Sequence, residues 1–228
     1  MALGRLSLAA ALLGLSAALV HAHGDVAPQP VNTDALPDLD EEWLIENPYR
    51  NLGEDVWQAA IDIGASGYNQ NCARCHGLGG VSGGLAPDLR YLEAEEYGDE
   101  WYVERFRHGY TQGGTTKMPA FGELLGQKAA WAIRTYVETR PDEGELDDHQ
   151  DRLKEIRDTL AAAAESGAPA DDVALKAELS AIASEVETGS GAPVADSVAF
   201  RAARLLDGSA SAYKAAAETL TIGLSAAQ

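Results

Sequence analysis

The chain of 228 residues is poor in cysteine, methionine and basic side chains. It has two cysteines and two methionines, and its 17 basic residues face 36 acidic ones. Two cysteines cannot complete the four Cys or His ligands of a structural zinc site, and no second Cys/His pair follows. The net charge of −19 argues against nucleic acid and anionic membranes as partners. This charge favours a basic or mixed-charge protein surface as the partner.

Long apolar runs are also scarce. The sequence has one, and it lies at the N-terminus. Arg5 precedes an Ala- and Leu-rich segment from Leu6 to Val20, and small residues follow it. This pattern predicts a secretory signal peptide over residues 1–22, cleaved near Ala22 and His23. The run is too short for a transmembrane anchor, so we expect an exported protein without a membrane span.

Both cysteines lie in one short motif, Cys72-Ala73-Arg74-Cys75-His76. In a C-x-x-C-H pattern the two thiols bond covalently to haem and the histidine binds its iron. A thioredoxin-like redox pair would need a βαβ context, which the flanking sequence does not have. A plain disulfide would leave the histidine without a role. The motif therefore predicts one covalent haem c with His76 as an axial ligand.

The second axial position has one favoured candidate. Met118 is the only methionine besides Met1, and it follows a glycine-rich stretch and precedes Pro119. These neighbours predict a loop that can reach over a haem face, rather than a methionine that fills a core. His108 is the competing ligand, and an open sixth position is the third possibility.

The orientation of His76 requires a hydrogen-bond acceptor. A ligating histidine usually donates its other ring N–H to a carboxylate or a carbonyl. The glycine-rich segment after His76 predicts a loop that folds back beneath the iron. Pro87 lies in this segment, and its carbonyl is the predicted acceptor. A simple turn proline is the alternative interpretation.

Periodicity divides the rest of the chain. Residues 23–52 contain four prolines and predict an extended arm on the surface of the next unit. Residues 53–140 predict a helical unit that carries the haem motif. In this unit Gly64 would let a later helix cross closely, with Trp131 or Tyr136 at the crossing.

Residues 141–228 differ in composition from the rest, because they are acidic and rich in alanine. They predict a helical extension, for which partial disorder is the alternative. Asp171 and Asp196 are predicted N-caps. The segments with helical spacing are 147–166, 171–188, 196–206 and 210–220.

Taken together, these motifs resemble the class I cytochromes c. The resemblance covers residues 23 to about 140, and its most specific parts are Cys72-x-x-Cys75-His76-Gly77, Pro87-Asp88-Leu89 and Met118-Pro119-Ala120-Phe121. Two further stretches are similar to the periplasmic cytochromes c-550 that accept electrons from quinoprotein ethanol dehydrogenases. These stretches are Glu46-Asn47-Pro48-Tyr49-Arg50 and the run from Ile63 to Asn71. The extension after residue 140 departs from that family.

The resemblance implies an all-α class I cytochrome c fold. It assigns the thioether bonds to Cys72 and Cys75, the axial positions to His76 and Met118, and the orientation of His76 to Pro87. It implies a periplasmic electron carrier and not an enzyme. The donor would be a PQQ-dependent alcohol dehydrogenase, and the acceptor a terminal oxidase or another cytochrome. A haem enzyme or gas sensor with an open sixth position, and a haem subunit of a larger redox complex, are the alternatives.

Overall fold

The computed structural model describes residues 28–195 and 197–226, and the predicted signal peptide lies outside the described residues. This part of the chain forms eight α-helices and one two-stranded hairpin. The helices are α1 (Glu54–Asn71), α2 (Ala73–His76), α3 (Glu96–His108), α4 (Gly122–Glu138), α5 (Gln150–Ser166), α6 (Asp172–Glu185), α7 (Val198–Leu205) and α8 (Ala210–Ala226). The antiparallel strands are β1 (Tyr110–Gln112) and β2 (Thr115–Met118). The predicted all-α class is confirmed.

Helices α1 and α4 cross at Gly64, as the sequence predicted. A Cβ atom at Gly64 would lie 2.0 Å from the carbonyl oxygen of Ala132, so only glycine allows this approach. Of the two predicted aromatic neighbours, Tyr136 is at the crossing, and its ring centroid lies 5.4 Å from that of Tyr68. Trp131 is fully buried on the same helix. The crossing therefore places Tyr68, one turn before the haem motif, inside the core.

The arm is inserted more deeply than a surface arm would be. Asn47 and Tyr49 are buried, and Trp43 packs against Phe106 on α3 with ring centroids 6.4 Å apart. A short 3-10 helix at Pro48–Asn51 follows, in which the Asn47 side chain accepts a hydrogen bond from the Tyr49 amide. The last residues of the arm thus contribute to the core, and the bounds of the arm at residues 23–52 stay a prediction.

A network of buried charges joins the arm to α3 and α4. Arg50 donates to Asp99 at 2.6 Å and to Glu138 at 2.6 Å, and Arg134 donates to Asp99 at 2.8 Å. Asn47 adds amide hydrogen bonds to Asp99 and Glu138. Two cations thus face two anions. Asp99, Arg134 and Glu138 are fully buried and Arg50 is 21% exposed, so the pairing compensates the cost of taking these charges out of water. Sequence analysis missed this network, because charged residues usually lie on the surface.

The acidic extension folds around a core of its own. Helices α5–α8 bury one continuous apolar cluster that includes Leu153, Leu160, Leu179, Tyr213 and Leu220. Over the part that is described, helices rather than disorder account for this extension. Asp171 caps α6 as predicted, whereas Ser197 caps α7, and Asp196 lies outside the described residues. None of the helices that the structure describes is long and apolar enough to cross a bilayer.

The connection between α6 and α7 returns to the haem unit. We call residues 186–195 the return segment. Thr188 pairs with Pro141 in an isolated bridge, and the amide of Ala195 donates to the carbonyl of Thr139. The hydroxyl of Ser190 donates to the carbonyl of Glu138 at 2.5 Å. These contacts tie the extension to the end of α4. The boundary at residues 140 and 141 stays a prediction.

The helix crossing makes a testable prediction about two glycines of α1. Gly64→Ala forces its new methyl group against the Ala132 backbone, so the free energy of unfolding should fall by about 3 kcal/mol. Gly67→Ala is the matched control, because its Cβ would meet only side-chain atoms of Ile133 and Val31, at 3.1 Å. Urea denaturation of both variants measures the difference. Equal losses would contradict the crossing.

Candidate functional site

The C-x-x-C-H motif forms the corner between α1 and α2. The amide of Cys72 donates to the carbonyl of Tyr68 at 2.8 Å and closes α1, and the amide of His76 donates to the carbonyl of Cys72 at 3.0 Å. One helical turn therefore carries both thiols and the imidazole. Cys72 and Cys75 are not joined by a disulfide. The turn presents two separate thiols and one ring nitrogen donor.

The electrostatics of Cys72 argue against thiol redox chemistry. Burial, with a smaller contribution from the neighbouring Cys75, raises the pKa of the Cys72 thiol to about 12. Redox-active C-x-x-C pairs instead have a lowered thiol pKa, because the thiolate is the nucleophile. Cys72 is therefore a poor attacking group, and the motif lies at the corner between two helices rather than in the βαβ context of a thioredoxin-like pair.

The imidazole of His76 is held by a backbone oxygen. Its Nδ1 atom lies 2.8 Å from the carbonyl oxygen of Pro87, which can only accept a hydrogen bond. Nδ1 must therefore carry the proton when the ring is neutral, and Nε2 keeps its lone pair. This tautomer is the one that binds a metal through Nε2.

Gly77 allows the chain to fold back directly after His76. Its φ is +83°, and a Cβ atom would lie 1.7 Å from the carbonyl oxygen of Val81. The hydroxyl of Tyr68 donates to the Gly77 carbonyl at 2.8 Å from the core side. Burial raises the pKa of Tyr68, so the hydroxyl stays a donor at physiological pH. The backbone turn after His76 is therefore held in place by a side chain of α1.

An ion pair that sequence analysis missed holds the segment after Pro87. Asp88 accepts from Arg90 Nε at 3.0 Å and Nη2 at 2.8 Å, and also from the amide of Ser82 at 3.2 Å. Desolvation alone would raise the pKa of Asp88, but the hydrogen bonds from Arg90 and Ser82 hold it below its usual value. The available sequence signal was an Asp two residues before an Arg, at the start of a short turn.

The two candidate sixth ligands have different surroundings. Met118 is partly buried at the end of β2 and packs against the apolar cluster that Cys72 also contacts. His108 ends α3 with an exposed side chain, and its Nε2 lies 3.7 Å from a carboxylate oxygen of Glu104. The structure thus associates Met118, and not His108, with the apolar surroundings of the C-x-x-C-H turn.

The residues around this turn fit a large apolar cofactor. Leu78, Val81 and Leu85 are 78%, 50% and 77% exposed, and all three belong to the loop that follows His76. Clustered apolar exposure of this kind usually marks a surface that something covers. No group of three or more His, Cys, Asp or Glu side chains able to hold a metal ion occurs in the described part. Covalent haem, tethered by two thioethers, matches this donor set.

Comparison with known proteins matches this chain to cytochromes and to cytochrome-containing redox proteins. A family model described as cytochrome c oxidase, cbb3-type, subunit III matches residues 59–137. Cytochrome c550 of Pseudomonas aeruginosa is 50% identical over 131 residues, which cover 56% of this chain and 88% of that protein. No solved structure matches the chain significantly.

Larger proteins match over shorter parts of their length. The quinohemoprotein alcohol dehydrogenase ADH-IIG of Pseudomonas putida is 49% identical over 79 residues, covering 35% of this chain and 10% of the dehydrogenase. The cbb3-type cytochrome c oxidase subunit FixP of Rhizobium meliloti is 28% identical over 124 residues, covering 49% of this chain and 38% of that subunit.

The ion pair of Asp88 makes a prediction about pH. Because its pKa is lower in the folded chain than the value of about 3.9 for an unfolded chain, its contribution is present above about pH 4 and is lost as the pH falls further. Asp88→Asn should therefore lower the free energy of unfolding by about 1 kcal/mol at pH 7 and by less at pH 3. Urea unfolding at both pH values measures this, with the exposed Asp40→Asn as control. An equal loss at both would contradict it.

Proposed function

Because the chain belongs to the class I c-type cytochromes, we propose that it is a periplasmic carrier that accepts single electrons from a PQQ-dependent alcohol dehydrogenase. Its relation to cytochrome c550 supports an electron-transfer protein with covalent haem c, and not an enzyme. The terminal oxidase, or another cytochrome, is the proposed acceptor. The predicted signal peptide supports the periplasmic location.

The hydrogen bond between His76 and Pro87 carries the assignment of the site. It leaves the lone pair of His76 Nε2 free to bind the iron, and the free thiols of Cys72 and Cys75 would form the thioether bonds. When bound, haem c supplies a one-electron couple, and Met/His ligation raises its potential. His76 and Met118 would together hold the iron, and such a haem would have no position left for a substrate. Such a site suits an electron carrier.

The donor is inferred from the chains that share this segment. The quinohemoprotein alcohol dehydrogenase ADH-IIG contains a segment similar to this chain, and that segment makes up 10% of the dehydrogenase. A separate polypeptide with the same kind of segment suits the same class of donor. The net charge of −19 would steer such a carrier to a basic surface on its partner.

A haem subunit of a larger redox complex is the second candidate. The match of residues 59–137 to a cbb3-type oxidase subunit favours it. The two candidates differ in assembly. A carrier would be recovered as a separate protein from a detergent-free periplasmic extract, whereas a subunit would migrate with other haem proteins in gel filtration.

The donor assignment predicts a direct reaction. When the oxidised protein is mixed with a quinoprotein ethanol dehydrogenase and ethanol, its haem should become reduced. Stopped-flow measurement of the haem absorbance follows this reaction. The rate should fall as salt is raised from about 10 to about 200 mM. Over this range the screening length of surface charges shrinks from about 30 Å to below about 10 Å, which weakens the attraction between the two proteins. A quinoprotein dehydrogenase that leaves the haem oxidised would exclude this donor.

The axial assignment predicts the effect of Met118→Ala. The variant should lose the far-red absorbance band of methionine-ligated ferric haem, lower the potential, and bind carbon monoxide when reduced. Ultraviolet–visible spectra and a redox titration measure these changes.

His108→Ala is the matched control for this variant. Because His108 is exposed and close to Glu104, its loss should leave the spectrum and the potential unchanged. The reverse pattern, with His108→Ala opening the site and Met118→Ala silent, would assign the position to His108. Rapid carbon monoxide binding by the unmodified protein would instead support the open-site alternative.

A further inference from the structure

We call residues 77–92, which follow His76, the haem-binding loop. The return segment contacts this loop at Arg90 and Tyr91, close to Pro87, whose carbonyl orients His76. We propose that the C-terminal helical unit, through this segment, positions the imidazole of His76 and thereby helps to set the reduction potential. Gly189, Tyr91 and Arg90 are the positioning residues in this chain of contacts. The inference rests on the proposed ligation by His76.

The first step runs from the imidazole to Arg90. The Pro87 carbonyl that accepts from His76 is followed by Asp88, whose carboxylate is bound by two guanidinium nitrogens of Arg90 and by the Arg90 amide. Arg90 is 5% exposed, and its side chain passes beside Gly80 in the same loop. The position of the carbonyl therefore depends on the position of Arg90.

The second step joins the loop to the end of α4. Arg90 Nη1 donates to the carbonyl of Pro141 at 3.3 Å, and the hydroxyl of Tyr91 donates to the carboxylate of Asp142 at 2.7 Å. Arg140 Nε donates to the carbonyl of Gly79 at 3.0 Å. Both sides of the haem-binding loop are thus held by three consecutive residues that follow α4.

The third step brings in the return segment. The Cα atom of Gly189 approaches the ring of Tyr91 so closely that a Cβ atom would lie 2.6 Å from Cδ1 and 3.3 Å from the carbonyl oxygen of Arg90. The amide of Ala94 donates to the carbonyl of Ser190 at 2.9 Å. The return segment therefore packs against one side of the Tyr91 ring, which stays 48% exposed, and pairs with the chain beyond it.

These contacts bear on the electronic state of His76. A hydrogen bond weakens steeply as its length and angle depart from the optimum, so a loosened loop weakens the bond from Nδ1 to the Pro87 carbonyl. The bond increases the basicity of the imidazole as a ligand. A weaker bond makes His76 a poorer donor to the ferric state, and the potential rises.

Two variants of the full-length holoprotein test this inference. Gly189→Ala displaces the Tyr91 ring, and Tyr91→Phe removes the hydrogen bond to Asp142 without adding atoms. In both, redox titration should give a higher potential than in the unmodified protein. NMR of the reduced protein should show exchange of the His76 Nδ1 proton that is about fivefold faster, as expected when one hydrogen bond is weakened.

Tyr97→Phe is the matched control. Tyr97 is 74% exposed on α3, so its hydroxyl can be removed without touching the loop, and both readouts should equal those of the unmodified protein. If Gly189→Ala and Tyr91→Phe lower the stability to urea but leave potential and exchange unchanged, the role is only structural and the inference is overturned. An unmodified protein without a haem-shifted His76 resonance would overturn the proposed ligation, and the inference with it.

Discussion

The approach of α1 to α4 at Gly64 is the constraint on which the rest of the site depends. The two backbones lie so close that a Cβ atom at Gly64 would be 2.0 Å from the carbonyl oxygen of Ala132. This contact fixes Tyr68 against Tyr136, and from there the Tyr68 hydroxyl reaches the carbonyl of Gly77. The turn that carries the two thiols and His76 is therefore held by helix packing, and not by its own short helix.

Two sets of polar contacts start from the C-terminal end of α4. Inside, Glu138 and Arg134 join Arg50 and Asp99 in a nearly closed network of two cations and two anions. Removing one partner would leave a buried charge uncompensated, which is costly, whereas the intact set restricts how the arm can pack. Outside, backbone and side-chain groups of residues 139–142 hold the haem-binding loop and the return segment.

The extension after residue 140 thereby gains a structural relation to the electron-transfer site. It has its own apolar cluster, yet Phe200 packs against both clusters, and the return segment lies on Tyr91. A unit that only added mass or charge would not need to contact Arg90 and Tyr91, three and four residues after Pro87. Its many acidic side chains still contribute to the charge that a redox partner meets.

Much of this arrangement was determined by the sequence alone. The C-x-x-C-H spacing and the glycine on the face of α1 below Cys72 are local signals, because covalent attachment and close helix approach each require a particular residue type. Ligation by Met118 stays a prediction. Helical periodicity likewise predicted α5–α7 within a few residues and the start of α8, since an apolar face must repeat every three or four positions. The insertion of the arm, the charge network and the pairing of Gly189 with Tyr91 were decided only by tertiary structure. Each joins residues some 50 to 100 positions apart, and no local pattern records which distant charge or ring a side chain will meet.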